Sequence, residues 1–259
     1  MNYERGTDHR NDKEINMPDK PKMILFDYGQ TLIHEEFNGV RGTEAILQYA
    51  TQNKYRLSAA QVQEEADKIN WEVGRFDPKR RHLFQVEVPN HMFTAYLYES
   101  LGITLSLTSE QIDQVFWDAA APGTPTIGIE DLLEYLHQNG IRTGVISNIA
   151  YAGKVVEDRI QRMIPTNHFE FIIATSEYMY RKPNKRIFDL ALEKADLRAD
   201  EVWYVGDQYE CDIVGAGNAG IFPVWYLGAI DRPCEDKEDV TTVKSWQEFK
   251  ERLVQPTLL

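Results

Sequence analysis

The stretch that decides the fold is KMILFDYGQTL, Lys22–Leu32. It contains a short apolar run that begins at Met23 and ends in the single carboxylate of Asp27. An apolar run of this length between polar segments predicts a strand buried on both faces rather than a helix. Asp27 then lies at the carboxyl end of that strand, the edge at which open α/β sheets bind ligands. The alternative is a solvated carboxylate that only starts the turn at Gly29.

After residue 120 the chain alternates between predicted helices and strands. Strands are predicted over residues 141–146, 171–174, 202–205 and 222–227, and helices over 129–139, from about 152, over 184–195 and over 245–253. Gly140 is a typical helix stop. Regular alternation of this kind predicts a parallel, doubly wound sheet. The strand that ends at Asp27 belongs to the same sheet.

Residues 35–121 interrupt this alternation. Helices are predicted there over residues 43–53, 58–73, 89–101 and 108–120. Two of them begin with capping boxes, Ser58-x-x-Gln61 and Thr108-x-x-Gln111. The predicted fold class is therefore α/β: a doubly wound parallel sheet, from residues 21–34 and 122–259, with an inserted all-helical domain over 35–121. Residues 1–20 are polar and aperiodic, and we predict a disordered N-terminal extension.

Composition limits the partners that the protein can have. The net charge of −13 argues against nucleic acid or an anionic membrane as a partner, because both require basic surfaces. No apolar run approaches the ~20 residues of a membrane-spanning helix. The two cysteines, Cys211 and Cys234, lack metal-ligand spacing and fit a reducing compartment. We therefore expect a cytoplasmic protein, monomeric or homodimeric.

Polar side chains follow several predicted strands. The strands end in Asp27, in Ser147 and in Asp207, and Asp212 lies just beyond. The tips of parallel strands share one edge, so these groups should converge. Clustered carboxylates repel one another unless a cation lies between them, and Mg²⁺ is the natural hard cation for oxygen ligands. Lys182 follows another strand and supplies a positive charge, unless it is a surface residue and Asp212 only starts a helix.

Four segments carry a family resemblance: Phe26–Leu32, Val145–Asn148, Lys182–Phe188, and Gly206–Ala216 with Ala219–Gly220. In this order and spacing they resemble the four motifs of the haloacid dehalogenase-like (HAD) hydrolase superfamily. The resemblance covers about residue 21 to the end and is to the subfamily with a helical cap after the first strand. It implies a HAD-like core over 21–34 and 122–259 and a helical cap over 35–121.

The resemblance assigns roles to the matching positions. Asp27 would be the nucleophile that attacks phosphorus and forms an aspartyl-phosphate intermediate. Thr31, Ser147 and Lys182 would hold the phosphoryl oxygens and the nucleophile in place. Ser147, Asn148 and Lys182 would form the substrate-binding set. The implied substrate is a small phosphorylated metabolite.

The resemblance also implies a magnesium site. The ligands would be the Asp27 carboxylate, the backbone carbonyl of Gly29 and Asp207, with Asp212 in or near the metal shell. Phosphoryl transfer depends mainly on positioning and on charge stabilisation by groups of this kind.

One position departs from the family pattern. Phosphatases of the family have a second Asp two residues after the nucleophile, which acts as general acid and base, whereas this chain has Gly29 followed by Gln30. General acid–base catalysis contributes roughly 10²–10⁴-fold, so phosphatase activity is expected to be weak or limited to good leaving groups. His34 and Glu35 are candidates for a substitute.

Because Gly29 replaces the acid, other functions of this family remain alternatives. Dehalogenase relatives share the cap, but work without Mg²⁺ and lack the carboxylate that Asp207 supplies. Phosphonatase relatives have a small residue where Gly29 lies, but require a cap lysine, for which Lys54, Lys68 and Lys79 are candidates. A HAD-like binding or regulatory protein with little turnover is the non-enzymatic alternative.

Substrate choice is expected to come from the cap, which would close over the site and exclude water. The basic run Lys79–Arg81 would meet a remote anion of the substrate or be a solvated surface run. The aromatic side chains of the block are expected to form the core of the cap rather than a set that stacks on a base: Trp71, Phe76, Phe93, Tyr96 and Tyr98.

Overall fold

The computed structural model describes residues 20–75, 85–230 and 240–254. The elements in chain order are β1 (Met23–Phe26), β2 (Ile33–His34), α1 (Gly39–Leu47), β3 (Ala50–Asn53), α2 (Ala59–Glu72), α3 (Asn90–Ser100), β4 (Ile103–Leu105), α4 (Ser109–Ala120), β5 (Thr124–Pro125), α5 (Ile129–Gln138), β6 (Arg142–Ser147), α6 (Gly153–Met163), β7 (Phe169–Ala174), α7 (Lys185–Ala195), β8 (Val202–Gly206), α8 (Gly215–Asn218), β9 (Phe222–Tyr226), β10 (Thr241–Val243) and α9 (Trp246–Val254). The predicted N-terminal extension, apart from Lys20, and the basic run Lys79–Arg81 lie outside the described residues.

Six strands form a parallel sheet in the order β10-β9-β8-β1-β6-β7. The strand β1 lies between β6 and β8, with Phe26 opposite Val145 on one side and Val205 on the other. The carboxyl ends of these three neighbouring strands therefore meet. The prediction of an α/β fold with a doubly wound parallel sheet is confirmed.

Burial on both faces explains why β1 is continuously apolar. Ile24 and Phe26 pack into the core that includes α5, α6 and α9, whereas Met23 and Leu25 pack into the core that includes α7 and α8. All four side chains have no exposed surface. Burial of a side chain of this size contributes about 1.5–3 kcal/mol, which makes this strand a strong anchor for the loop that carries Asp27.

The segment between β2 and β5, here called the helical insertion, has its own apolar core. That core contains Ile46, Val62, Leu97 and Ile112 from the four helices α1 to α4. Both predicted capping boxes are present at the starts of α2 and α4. The insertion is helical as predicted, except that β3 and β4 form a two-stranded antiparallel sheet.

This small sheet corrects the predicted helix over residues 43–53. The helix α1 ends at Leu47, and Ala50–Asn53 pairs instead with Ile103–Leu105. The strand β3 has exposed polar residues at its centre, Thr51 and Gln52, so its sequence lacks the alternation of apolar and polar residues that predicts a strand. Pairing with a partner distant in sequence decides its structure.

The chain enters and leaves the helical insertion through a second short pair. Ile33 of β2 lies opposite Pro125 of β5, and His34 lies opposite Thr124. Both connections therefore leave the sheet side by side, directly after the loop that carries Asp27. Every helix of the described ranges is too short or too polar to span a lipid bilayer.

Candidate active site

Three strand ends bring the predicted site together. Asp27 follows β1, Ser147 ends β6 and Asp207 follows β8, and all three side chains are buried. The backbone N–H of Asp27 donates to the carbonyl of Val205 at 2.9 Å, which holds Asp27 in register with β8. Carboxylate oxygens of Asp27, Asp207 and Asp212 all lie within 4.8 Å of one another.

The ammonium of Lys182 lies inside this cluster. It donates to Asp27 Oδ1 at 2.6 Å and to Asp212 Oδ1 at 2.7 Å. It also donates to the hydroxyl of Tyr204 at 2.7 Å, and the lysine is 2% exposed. The structure therefore brings Lys182 to the strand ends and does not leave it on the surface.

The electrostatics of the cluster follow from burial. Burial raises the pKa of Asp27 to about 8, in spite of the opposing effect of the Lys182 ammonium. The carboxylates of Asp212 and Asp207 act in the same direction as burial. Burial disfavours the charge of Lys182, but Asp212 and Asp27 outweigh it, and the pKa of Lys182 is raised. A nucleophilic carboxylate must be ionised, so this cluster favours additional positive charge.

The donor set fits a hard divalent cation. Three carboxylates face one ammonium, an excess of two negative charges when all are ionised. Asp212 is already engaged through both oxygens, since Oδ1 accepts from Lys182 and Oδ2 accepts from the backbone N–H of Gln208 at 2.9 Å. Asp27 and Asp207 are thus the better candidates for direct ligands, and Asp212 is better placed to support them. Mg²⁺ typically takes one or two carboxylates and keeps several waters.

Asn148 fixes the segment that carries Lys182. Its side-chain amide donates to the carbonyl of Lys182 and accepts from the N–H of Lys182, both at 2.8 Å. The same segment is tied to the helical insertion, because the N–H of Arg181 donates to the carbonyl of Gln85 at 3.1 Å. The predicted substrate-binding residue Asn148 therefore also positions the lysine.

Thr31 lies fully buried in the turn after β1. Its carbonyl accepts from the hydroxyl of Thr126 at 2.7 Å, which links the turn to the segment that follows β5. Its own hydroxyl has no hydrogen-bond partner among the described residues. A buried, unsatisfied hydroxyl is costly, and an incoming oxygen atom would relieve that cost.

The position of the missing acid is sterically open. A Cβ atom built on Gly29 would meet nothing within 4 Å, and the backbone of Gly29 lies outside the positive-φ region. The residue with positive φ is its neighbour Gln30, at 57°. Neither the available space nor the backbone conformation therefore requires glycine at this position.

Both substitute candidates are engaged in local hydrogen bonds. The ring Nδ1 of His34 lies 2.9 Å from Gln30 Oε1, and Gln30 Nε2 donates to the carbonyl of Glu35. Glu35 Oε1 accepts from the hydroxyl of Tyr28 and from Arg159, both at 3.0 Å. Burial raises the pKa of Glu35, although Arg159 opposes this effect. These hydrogen bonds hold His34 and Glu35 in the connection to the helical insertion.

A cavity of about 630 Å³ lies between the helical insertion and the sheet. The core contributes the loop that follows Ser147, including Asn148 and Tyr151. The insertion contributes apolar and aromatic side chains, Phe37, Phe93, Leu97, Tyr98, Ile112 and Phe116, and also polar ones, among them Thr43, Gln63, Asn70, Asn90 and Thr94. Of the aromatic residues predicted to form the core of the cap, Phe93 and Tyr98 line this cavity, Trp71 and Tyr96 are exposed, and Phe76 lies outside the described residues.

The cavity also contains charged groups that the sequence did not single out. Glu87, 4% exposed, accepts from Arg75 Nη2 at 3.3 Å and from Arg181 Nη1 at 3.2 Å. Its other oxygen accepts from the hydroxyl of Thr175 at 2.9 Å. Arg181 directly precedes Lys182, and this position is the signal for it in the sequence. Tyr204, which contacts Lys182 outside the cavity lining, lies on β8 two residues before Gly206, and its signal is likewise its position beside a motif.

Comparison with known proteins identifies the family. Residues 21–220 match the family model for haloacid dehalogenase-like hydrolases. The chain belongs to this family. The HAD-like chain is also 32% identical to pyrimidine 5'-nucleotidase YjjG of Escherichia coli strain K12 over 158 residues. The aligned segment covers 60% of the chain and 69% of the nucleotidase. The chain spans about half the length of further curated relatives that it matches.

Solved structures share the fold of this HAD-like hydrolase at low identity. A 2-haloacid dehalogenase from Pseudomonas syringae pv. Tomato DC3000 superposes with a TM-score of 0.60 at 20% identity, over 92% of this chain and 98% of that one. A HAD phosphatase from Thermococcus onnurineus superposes with a TM-score of 0.62 at 17% identity, over 91% of this chain and 99% of that one. Because the two neighbours carry different names at similar scores, the fold does not decide the reaction and the side chains must.

Proposed function

We propose that this HAD-like hydrolase removes phosphate from a small phosphorylated metabolite through an aspartyl-phosphate formed on Asp27. The observation that carries the proposal is the buried cluster at the strand ends, where Lys182 contacts Asp27 and Asp212 beside Asp207. This arrangement provides a carboxylate nucleophile and fixed positive charge for a phosphoryl group. The similarity to a pyrimidine 5'-nucleotidase supports phosphate esters as substrates.

In the proposed reaction, an Asp27 carboxylate oxygen forms a bond to phosphorus as the ester oxygen leaves with its electron pair. Water then attacks the aspartyl-phosphate and releases inorganic phosphate, which restores the carboxylate. Lys182 holds the nucleophile and balances charge, while Thr31 and Ser147 contact phosphoryl oxygens. With Gly29 in place of an acid, the leaving oxygen takes its proton from water, so the first step is sensitive to the leaving group.

The proposed cofactor is Mg²⁺, held by the Asp27 carboxylate, the Gly29 carbonyl and Asp207. Bound there, it would neutralise charge on the transferring phosphoryl group. Calorimetric titration should show Mg²⁺ binding that Asp207→Ala weakens by more than the roughly 10–100-fold typical of outer-shell partners. The control is Asp200→Ala at the exposed pair with Arg198. Equal Mg²⁺ affinity of wild type and Asp207→Ala would contradict the site.

We further propose that the helical insertion, residues 35–121 in the predicted division, acts as a cap that selects the leaving group. The cavity of about 630 Å³ is far larger than a three-carbon sugar phosphate needs, and its walls include five aromatic side chains, Phe37, Phe93, Tyr98, Phe116 and Tyr151. Ring-bearing leaving groups fill such a cavity and contact its aromatic walls. Nucleoside monophosphates are therefore the first substrates to test.

Rival chemistries have less support. A phosphonatase needs a lysine that reaches the site from the cap, but Lys68 is half exposed and paired with Glu64, and Lys54 lies over the ring of Tyr55. Neither lines the cavity, and Lys79 lies outside the described residues. The Asp207 carboxylate beside Asp27 fits a metal-assisted phosphatase better than a metal-independent dehalogenase.

The test is a panel of substrates assayed with and without Mg²⁺. Phosphate release is expected from p-nitrophenyl phosphate and from nucleoside monophosphates, with a lower kcat/KM for triose phosphates. A 2-haloacid and a phosphonate serve as the rival substrates. Absence of phosphate release from every ester, with Mg²⁺ bound, would contradict the proposed function and favour a binding protein.

A further inference from the structure

The buried side chain of Arg159 is one of the groups that join the helical insertion to the core. Arg159 lies on α6, and its side chain is 1% exposed. Its guanidinium lies 4.3 Å from the centre of the Trp117 ring. We propose that Arg159 is a positioning residue that holds the helical insertion over the active site and fixes the loop that carries Asp27.

The contacts of Arg159 reach both connections of the insertion. Where the chain enters the insertion, Arg159 Nη2 donates at 3.0 Å to Oε1 of Glu35, the residue directly after β2. On the returning side, Nη1 donates to Asp118 Oδ1 at 2.5 Å, and Nη2 donates to the carbonyls of Ala121 and Pro122. The two connections are thus fastened to the same helix of the core by one planar group. A lysine has a single donor atom and cannot make this set of contacts.

The remaining donor of Arg159 contacts the loop that carries Asp27, here called the nucleophile loop. Its Nε donates at 2.9 Å to the hydroxyl of Tyr28, the residue after Asp27. The Tyr28 hydroxyl in turn donates to Glu35 at 3.0 Å, and the carbonyl of Tyr28 accepts from the N–H groups of Leu32 and Ile33. Arg159 therefore binds both the turn after Asp27 and the start of the insertion. Burying a charge is costly, and a buried ion pair is weak evidence for stability, so a role in geometry explains this network better.

The chain offers a matched control one helical turn away. Arg162, on α6, also binds Asp118, through Nη1 at 2.9 Å and Nη2 at 3.0 Å, but its side chain is 49% exposed. It therefore shares a carboxylate partner with Arg159 without reaching Tyr28 or Glu35. Arg159→Lys and Arg162→Lys make the same chemical change, and only the first should affect the insertion and the nucleophile loop.

The experiment compares these variants by hydrogen–deuterium exchange and by kinetics. Arg159→Lys should speed exchange in the segments 33–38 and 118–123 selectively, whereas Arg162→Lys should resemble wild type. The kinetic part rests on the proposed function: Arg159→Lys should lower kcat/KM for a nucleoside monophosphate by about 10²-fold, since small misplacements cost this much. The loss for acetyl phosphate, which is too small to fill the cavity, should be clearly smaller.

The outcomes separate this inference from the proposed function. A wild type without phosphatase activity would end the proposed function, while the exchange data would still decide the role of Arg159. Arg159→Lys that matches Arg162→Lys, or that speeds exchange uniformly along the chain, would overturn the inference. If Arg159→Lys does not fold, Tyr28→Phe decides: it removes only the hydroxyl link, and it should lower kcat with both substrates. Unchanged kcat in Tyr28→Phe would then overturn the inference.

Discussion

Replacing Asp27 by Asn is expected to abolish phosphate-ester hydrolysis, with a loss of at least about 10⁴-fold in kcat, as for other covalent nucleophiles. The amide is uncharged and cannot form an acyl-phosphate. The fold should survive, because Asn has nearly the same shape and Lys182 keeps its contacts with Asp212 and Tyr204. Steady-state rates and far-UV circular dichroism of both proteins provide the measurement.

Trapping the intermediate makes this test sharper. Wild-type protein quenched in acid during turnover should carry one phosphoryl group on the peptide that contains Asp27, as seen by mass spectrometry. The control is Asp158→Asn, the same change at an exposed ion pair with Lys154, which should retain wild-type turnover. Turnover by Asp27→Asn within tenfold of wild type would rule out the covalent mechanism.

Local sequence patterns were sufficient where one short stretch determines the structure. The strand β1 was predictable because an apolar run buried on both faces has no polar positions. The helix α5 stops as predicted, with Gly140 at φ 69°. In contrast, β2 and β5 have two residues each, and β3 pairs with a segment about 50 residues later. Contacts between distant short segments leave no periodicity in either one.

The same distinction applies to the candidate site. The carboxylates could be placed from sequence, because parallel topology brings strand ends to one edge. Tyr204 could not, since an aromatic residue on a buried strand predicts packing, whereas its hydroxyl contacts Lys182. Arg159 resembles an ordinary polar position of a helix, and two of its partners, Glu35 and Tyr28, lie 124 and 131 residues away. Side-chain networks of this kind follow from tertiary packing, not from local pattern.

The acid that is missing at position 29 can be restored by one substitution. Gly29→Asp should raise hydrolysis of phosphate esters, most for poor leaving groups, by up to the roughly 10²–10⁴-fold that general acid catalysis contributes. Poor leaving groups need a proton as the ester bond breaks, whereas nitrophenolate leaves without one. The structure favours the substitution: a Cβ at Gly29 meets nothing within 4 Å, and its φ needs no glycine.

Electrostatics act in both directions in this variant. A fourth carboxylate near Asp27 and Asp207 adds repulsion that the cations of the site must offset. The same repulsion raises the pKa of the new carboxyl group, and the protonated form is the one that a general acid needs at the start of the reaction. Gln30 does not compete for this task, because its amide is engaged with His34 and with the carbonyl of Glu35. We therefore expect the gain in proton transfer to exceed the cost of repulsion.

The measurement is the dependence of log kcat/KM on leaving-group pKa, over a series of aryl and alkyl phosphates. Gly29→Asp should flatten this dependence relative to wild type, because a protonated leaving oxygen no longer carries the full developing charge. Gly29→Asn is the matched control, since it has the same shape and hydrogen-bonding reach but no acidic proton, and its slope should equal that of wild type. If Gly29→Asp and Gly29→Asn share one slope, with no gain for alkyl phosphates, Gly29 is more than a missing acid. The site would then be adapted to leaving groups that need no proton, or to binding without turnover.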